Sequence, residues 1–370
     1  MHLYIHVPFC ARRCSYCDFA IAVRREVPSA AFQAAVLSEW EAWQRHPAWA
    51  DSPGLDTIYF GGGTPSRLDP AALAALLSRF RTDRIIAPGA EVSLETNPDD
   101  VTTAAADAWT AAGINRVSLG AQSFSAPALE WMHRTHTAEQ ISGAIRLLRA
   151  AGFRNVSLDL IYGLPEAVRR DWVEDLDRAL GLEPEHLSLY GLTIESGTPL
   201  SRWTARGESI PSPDERAARE YLAAHDRIKR AGYDHYEVSN AARPGFRAKH
   251  NSAYWARRHF IGLGPSAHSG FGTVRAWNVR EWEAYRRRSE SGHSLEGNRE
   301  SETLGPEQVA LEELYLGLRT TEGIADPLVP EAVRSRWCES GWAEVRSGRI
   351  RLTPEGWLRL DALVASLTRC

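Results

Sequence analysis

Leu3-Tyr-Ile-His-Val-Pro-Phe-Cys10-Ala-Arg-Arg-Cys14-Ser-Tyr-Cys17-Asp-Phe19 opens this chain of 370 residues. A short strand-like stretch runs into three cysteines spaced Cys-x3-Cys-x2-Cys, and the rest of the chain holds only two more, Cys338 and Cys370. Thiolates are soft ligands, and cysteines clustered on a short loop suit zinc or an iron–sulfur cluster. A disulfide scheme leaves one of the three over. Structural zinc takes four protein ligands, commonly as two separated pairs. That pattern is absent, although His6 stands close enough in sequence to serve as a fourth ligand. A four-iron cluster held by three cysteines leaves one iron open to a further ligand, and the spacing favours that reading.

Outward from this loop, polar residues recur at the ends of short apolar runs. Thr57 to Phe60 leads into Gly61-Gly62-Gly63-Thr64-Pro65-Ser66. Glycines there let backbone groups approach a ligand closely, or simply make a tight strand-to-helix turn. Val92 to Glu95, Arg116 to Gln122, Ser157 to Gly163 (through Asp159) and Leu187 to Thr193 follow the same plan. Amphipathic stretches lie between them, such as Thr137 to Ala151 with Ile141, Ile145 and Leu148 on one face, and Ser29 to Trp43 with Phe32, Val36, Trp40 and Trp43. Ser29 reads as the N-cap of the latter. Strands alternating with helices give parallel βαβ units, and six strand candidates from Leu3 to Leu192 predict an α/β fold, a partial (β/α)6 barrel. In β/α barrels functional side chains sit at the C-terminal strand ends.

The cysteine loop resembles the signature of the radical S-adenosylmethionine (SAM) superfamily. The longer string Tyr4-Ile-His-Val-Pro-Phe-Cys10 resembles the oxygen-independent coproporphyrinogen III oxidase group and, within it, the heme chaperones of the HemW type. The resemblance implies a [4Fe-4S] cluster on Cys10, Cys14 and Cys17, with SAM chelated at the open iron. It implies that Gly62, Gly63 and Thr64 meet the methionyl end of SAM and that Tyr4 and Tyr16 flank it. It further implies that Glu95, Gln122, Arg134, Asp159 and Thr193 reach its amino, ribose or carboxylate groups. Carboxylates suit ribose hydroxyls, and the guanidinium fork suits a carboxylate. For Arg134 a surface ion pair is the competing reading.

Two departures from the oxidases bear on function. Their cysteine pattern continues to a fourth cysteine where this chain has Phe19, and they carry a longer N-terminal arm than is expected here. Lys249-His250-Asn251-Ser252-Ala253-Tyr254-Trp255 resembles the heme-binding motif of the chaperones. Imidazole is a common axial ligand to heme iron, the tyrosine and tryptophan can pack on a porphyrin face, and Asn251 can orient the ring. A merely packed histidine is the competing reading. Ile261-Gly-Leu-Gly264-Pro-Ser-Ala-His268-Ser-Gly270 reads as a glycine-rich loop with His268 as a second candidate ligand. The expected function is therefore heme binding and delivery to acceptor proteins. The alternative is a radical enzyme acting on a porphyrinogen, which needs an electron donor to reduce the cluster.

The expected units are residues 1–205 for the barrel, 206–299 for a linker and extension with the heme motif, and 300–370 for a winged-helix-like accessory domain. The linker is Arg206 to Pro213, followed by a charged helix from Asp214 to Ala231 and a strand from Tyr233 to Ser239. The polar stretch Gly297 to Gly305 marks the last boundary. Beyond it come a helix from Pro306, a second near Pro330 to Glu339, a hairpin over Ala343 to Leu352 turning at Ser347-Gly348, and a final helix after Thr353-Pro354-Glu355. Helix, helix, hairpin and helix bring DNA binding to mind, but the segment lacks a basic stripe, and the net charge of −4 gives no general affinity for polyanions. No apolar run is long enough for a membrane span. No basic region precedes an apolar stretch at the start, so cytoplasmic residence with reduced thiols is expected. Met132 reads as core.

Overall fold

The computed structural model describes residues 1–49, 54–291 and 299–367. Six parallel strands form its centre: β1 (His2–Val7), β2 (Gly54–Gly62), β3 (Ile85–Thr96), β4 (Arg116–Gln122), β5 (Val156–Tyr162) and β6 (His186–Gly191). Alternation sets the two faces of the sheet. On β1 the odd residues Leu3, Ile5 and Val7 are fully buried in the core beside Phe32, Val36 and Trp40 of α1 (Ser29–Trp43). The even residues Tyr4 and His6 turn to the inner, concave side, as do Tyr59, Glu95, Ser118, Asp159 and Tyr190 on the following strands.

The helices start where their caps place them. Thr137 and Gln140 form a capping box at the start of α2 (Ala138–Ala150), and Ile141, Ile145 and Leu148 are buried. At α1 the expected cap is corrected: Pro28 takes the N-cap position, and Ser29 is the first helical residue. The Ser29 hydroxyl instead accepts from the Asp69 N–H, 3.0 Å away. Met132 is fully buried.

The partial barrel is longer than six strands. After α3 (Asp214–Arg230), the strand expected over Tyr233 to Ser239 forms as β7 (Asp234–Glu237), and a second strand not expected from the sequence, β8 (Asn240–Ala242), follows it. The Glu237 carboxylate accepts from the Ser239 N–H at 3.2 Å and from the Asn240 side chain, which folds the chain back on itself. These strands extend the β6 end, antiparallel. The other end is extended beyond β1 by β9 (Phe260–Leu263), parallel, then by β10 (His268–Phe271), β11 (Val274–Asn278) and β12 (Arg299–Thr303), all antiparallel. The sheet order is therefore β12-β11-β10-β9-β1-β2-β3-β4-β5-β6-β8-β7. Part of the expected glycine loop is thus strand. Ile261 and Leu263 are fully buried, and Gly262 sits where a Cβ would lie 2.1 Å from the His268 carbonyl oxygen.

The C-terminal region has its own core, in which Leu318, Trp337, Ile350 and Trp357 close on Tyr221 of α3. Its hairpin turns at Ser347 and Gly348, both with positive φ (52° and 72°), as a tight two-residue turn demands. Among the described residues no helix is long and apolar enough to cross a membrane.

Glu237 lies at the junction, fully buried and bridged antiparallel to Thr320. Burial pushes its carboxyl up to about 7. Its unfolded value is about 4.3. Between these values the folded protein keeps a proton that the unfolded chain has lost, so stability falls as pH rises through that window. Glu237→Gln should remove this dependence. Between pH 5.5 and 8, denaturant unfolding of the wild type should lose about 2 kcal/mol more than that of the variant. Equal slopes for the two proteins would show that Glu237 does not carry the proton.

Candidate functional site

Strand β1 delivers the cysteine loop to the C-terminal mouth of the parallel strands. Its last carbonyl, on Val7, accepts from the Gly63 N–H at 2.8 Å, so the loop starts beside the glycine turn. Phe9–Cys10 then pairs with Ala22–Val23, pinching residues 11–21 into a closed loop. Cys10, Cys14 and Cys17 are free and partly exposed, and all three line a cavity of about 380 Å³. Gly62, Gly63, Thr64, Glu95, Gln122, Arg134, Asp159, Thr193 and Tyr16 line the same cavity. The sequence-predicted set is thus brought together with one exception. Tyr4 faces a neighbouring cavity, its hydroxyl 3.1 Å from His6 Nδ1 and its ring stacked on Tyr59.

The chemistry of the first cavity is divided between anion and cation. The Glu95 carboxylate accepts from the Tyr59 hydroxyl at 2.8 Å and from the Gly62 N–H at 2.9 Å, and burial, helped by Asp159, pushes its carboxyl up to about 7. Burial also raises Asp159, which accepts from Ser118 at 3.0 Å. Arg134 is no surface ion pair. It donates to Cys14 Sγ at 3.6 Å, to Asn97 Oδ1 at 2.5 Å and to the Gly120 carbonyl at 2.9 Å, and its buried Nε has no hydrogen-bond partner among the described residues. Thr64 donates to Cys10 Sγ at 3.5 Å. Asn97, Ser118, Tyr59 and Tyr190 escaped the sequence reading. Period-two alternation from Glu95 and Asp159 along neighbouring strands would have found the last three.

The three thiols fit an iron–sulfur cluster better than a single ion. Burial raises the Cys10 thiol and pushes Cys17 up to about 12, so iron must displace their protons. Among the described residues no three Cys, His, Asp or Glu side chains converge closely enough to hold one metal ion. A cube of four irons spans a wider set of thiolates. His6 offers no fourth ligand. Its Nε2 meets the Ala20 carbonyl at 2.9 Å, its Nδ1 meets Tyr4, and a Cβ on Gly62 would lie 2.7 Å from its ring. The cradle is equally tight at Gly63, where a Cβ would lie 2.8 Å from the Pro8 carbonyl and 3.0 Å from Cys10 Sγ.

His6 and Gly62 form the partition to the second cavity, about 450 Å³, which lies between β1, β9 and β10 and the helices α4 (Lys249–Trp255) and α5 (Pro306–Leu318). Tyr254, Trp255 and His268 line it. His250 does not. It is 1% exposed, with Nδ1 2.6 Å from Thr57 Oγ1 and Nε2 2.8 Å from the Tyr254 hydroxyl, and burial lowers it to about 3. Both ring nitrogens are thereby engaged. Thr57 and Tyr254, rather than Asn251, orient the ring. The start of α4 is fixed by Glu91, whose carboxylate accepts from the N–H groups of Lys249 and His250.

A profile of the Radical SAM superfamily matches residues 4–179. The heme chaperone HemW of Mycobacterium tuberculosis is 36% identical over 99% of this chain and 94% of its own length. The HemW of Synechocystis is 37% identical over 88% of this chain and 80% of its own. This chain belongs to the HemW family of radical SAM proteins. Membership brings a [4Fe-4S] cluster and SAM as the cofactors of the superfamily, consistent with the open three-thiol arrangement. In fold, the chain is similar to the coproporphyrinogen III oxidase of Escherichia coli, a radical SAM enzyme, with a TM-score of 0.76 and 21% identity over 99% of this chain and 89% of that one.

Gly63→Ala tests the cradle. Reconstituted under anaerobic conditions, the variant should bind less than about half the iron and sulfide of the wild type, with an unchanged circular dichroism spectrum, because the methyl group must displace Cys10 or the Pro8 carbonyl. Full iron loading would show that the loop yields freely.

Proposed function

We propose that this protein is a heme chaperone: it takes heme as cargo into the second cavity and passes it to acceptor proteins. Cys10, Cys14 and Cys17 would hold the cluster in the first cavity. Bound there with SAM, the cluster supplies one-electron chemistry once an electron donor reduces it. The polar residues of that cavity are placed for the other groups of SAM. Glu95 and Asp159 offer acceptors for hydroxyl or ammonium protons, and Arg134 offers a charged donor beside Cys14. Gly62 and Gly63 keep the backbone open to close approach.

The observation that carries the cargo reading is the separation of the two cavities. Relatives named heme chaperones match almost the whole chain, and the Tyr254 and Trp255 of the motif wall a cavity distinct from that of the cysteines. Aromatic faces suit a flat macrocycle. Tyr254 meets Phe260 edge-on at 4.6 Å, and Trp255 is stacked beneath Arg319 at 4.5 Å. His250 acts through Tyr254, whose hydroxyl it holds, as a positioning residue.

Anaerobic titration of the protein with ferric heme tests this reading. The wild type should saturate at one heme per chain, and a variant with all three cluster cysteines changed to serine should still bind. Trp255→Ala should weaken binding by about tenfold, the loss of a large aromatic contact. Absence of saturable binding by the wild type would remove the chaperone reading. Binding lost with the cysteines would place heme in the wrong cavity.

A further inference from the structure

Among the histidines around the second cavity, one differs from the rest. His250 and His6 have both ring nitrogens engaged. His268 lines the cavity, is exposed, and has no hydrogen bond to either ring nitrogen among the described residues. Its orientation is nevertheless set. In the β10–β11 pairing it stands opposite Trp277, and the two rings stack at 5.9 Å with 29° between their planes. Trp277 in turn donates from Nε1 to Glu300 on β12 at 3.1 Å. The imidazole is therefore braced through its face, and its nitrogens remain available.

A lone imidazole is a poor site for a bare cation, which needs several protein ligands. No second His, Cys, Asp or Glu set that could complete one is found among the described residues. A metalloporphyrin is different, because it brings four nitrogens of its own and needs a single protein ligand. The remaining lining suits the rest of that molecule. Phe260 lines the cavity with its ring seated on the Gly270 backbone, where a Cβ would fall 2.5 Å from it, so an aromatic surface borders the space beside His268. Arg258 is exposed at the rim and has no carboxylate partner among the described residues, which leaves its guanidinium for an anionic group.

Resting on the chaperone reading, we infer that His268, not His250, ligates the iron of the bound heme, and that Arg258 meets a heme propionate. The distinction is physical. Ligation by His250 requires breaking its bonds to Thr57 and Tyr254 and uncovering a buried ring. Ligation by His268 requires neither.

The test is spectroscopic and uses the cluster-loaded full chain with ferric heme and, separately, with metal-free protoporphyrin. His268→Ala should lose the histidine-ligated absorption and electron paramagnetic resonance spectra and bind heme about tenfold or more weakly. It should bind metal-free protoporphyrin as the wild type does, and added imidazole should restore the heme spectrum. Arg258→Gln should weaken binding of both porphyrins while leaving the spectrum of bound heme unchanged. Wild-type spectra in His268→Ala, with loss of ligation in His250→Ala instead, would overturn the assignment and leave the chaperone reading intact. No heme binding by the wild type would overturn both. Loss of metal-free protoporphyrin binding in His268→Ala would show that the residue shapes the cavity rather than holding iron.

Discussion

His2–Val7 pairs with Thr57–Gly62 in six consecutive registers, and the Gly63 N–H closes the ladder on the Val7 carbonyl. Parallel strands admit no one-residue slip here, because a slip turns Leu3, Ile5 and Val7 out of the core and Tyr4 and His6 into it. Both cavities hang on this ladder. At its C-terminal end it sets Cys10 beside the glycine turn. Along its inner face it aims Tyr4 and His6 at the second cavity, and where His6 meets Gly62 it separates the two. Gly62 has φ of +115°, a conformation that glycine tolerates and that lets the turn lie against the imidazole.

The partition gives the molecule two chemically distinct rooms on one strand. The first is polar, with a half-buried carboxylate pair, a guanidinium and three thiols. The second is aromatic, with arginines at its rim. Similarity of fold to a porphyrinogen oxidase does not carry its reaction, since function resides in the site rather than the fold. What distinguishes this chain locally is Phe19. It is 56% exposed and stands on the cysteine loop where the oxidase pattern has a fourth thiol.

Much of this was legible in the sequence. Cys10, Cys14 and Cys17 announce a cluster by spacing, and Glu95, Gln122 and Thr193 announce a shared mouth because each stands at the end of a strand pattern, with Asp159 a polar residue inside another. The strands β1 to β6 show because alternation and the intervening helical stripes repeat. Other features depended on contacts distant in sequence. Nothing local tells that Ile261 to Leu263 will lie beside β1, because the glycines that read as a loop are there to admit a neighbouring strand. The burial of His250 was equally hidden, since Thr57 and Glu91, which hold its ring and its backbone, are far from it in the chain. Ser29 resembled a cap, but Asp69 claims its hydroxyl.

In the proposed function the heme iron lies apart from the cluster, across the His6–Gly62 partition. The most direct measurement is a crystal structure of the protein carrying both cluster and ferric heme, with iron located by its anomalous scattering. Two separate iron sites are expected, one among Cys10, Cys14 and Cys17 and a single iron in the cavity walled by Tyr254 and Trp255. Heme iron in the cysteine cavity, or outside both, would contradict the proposal.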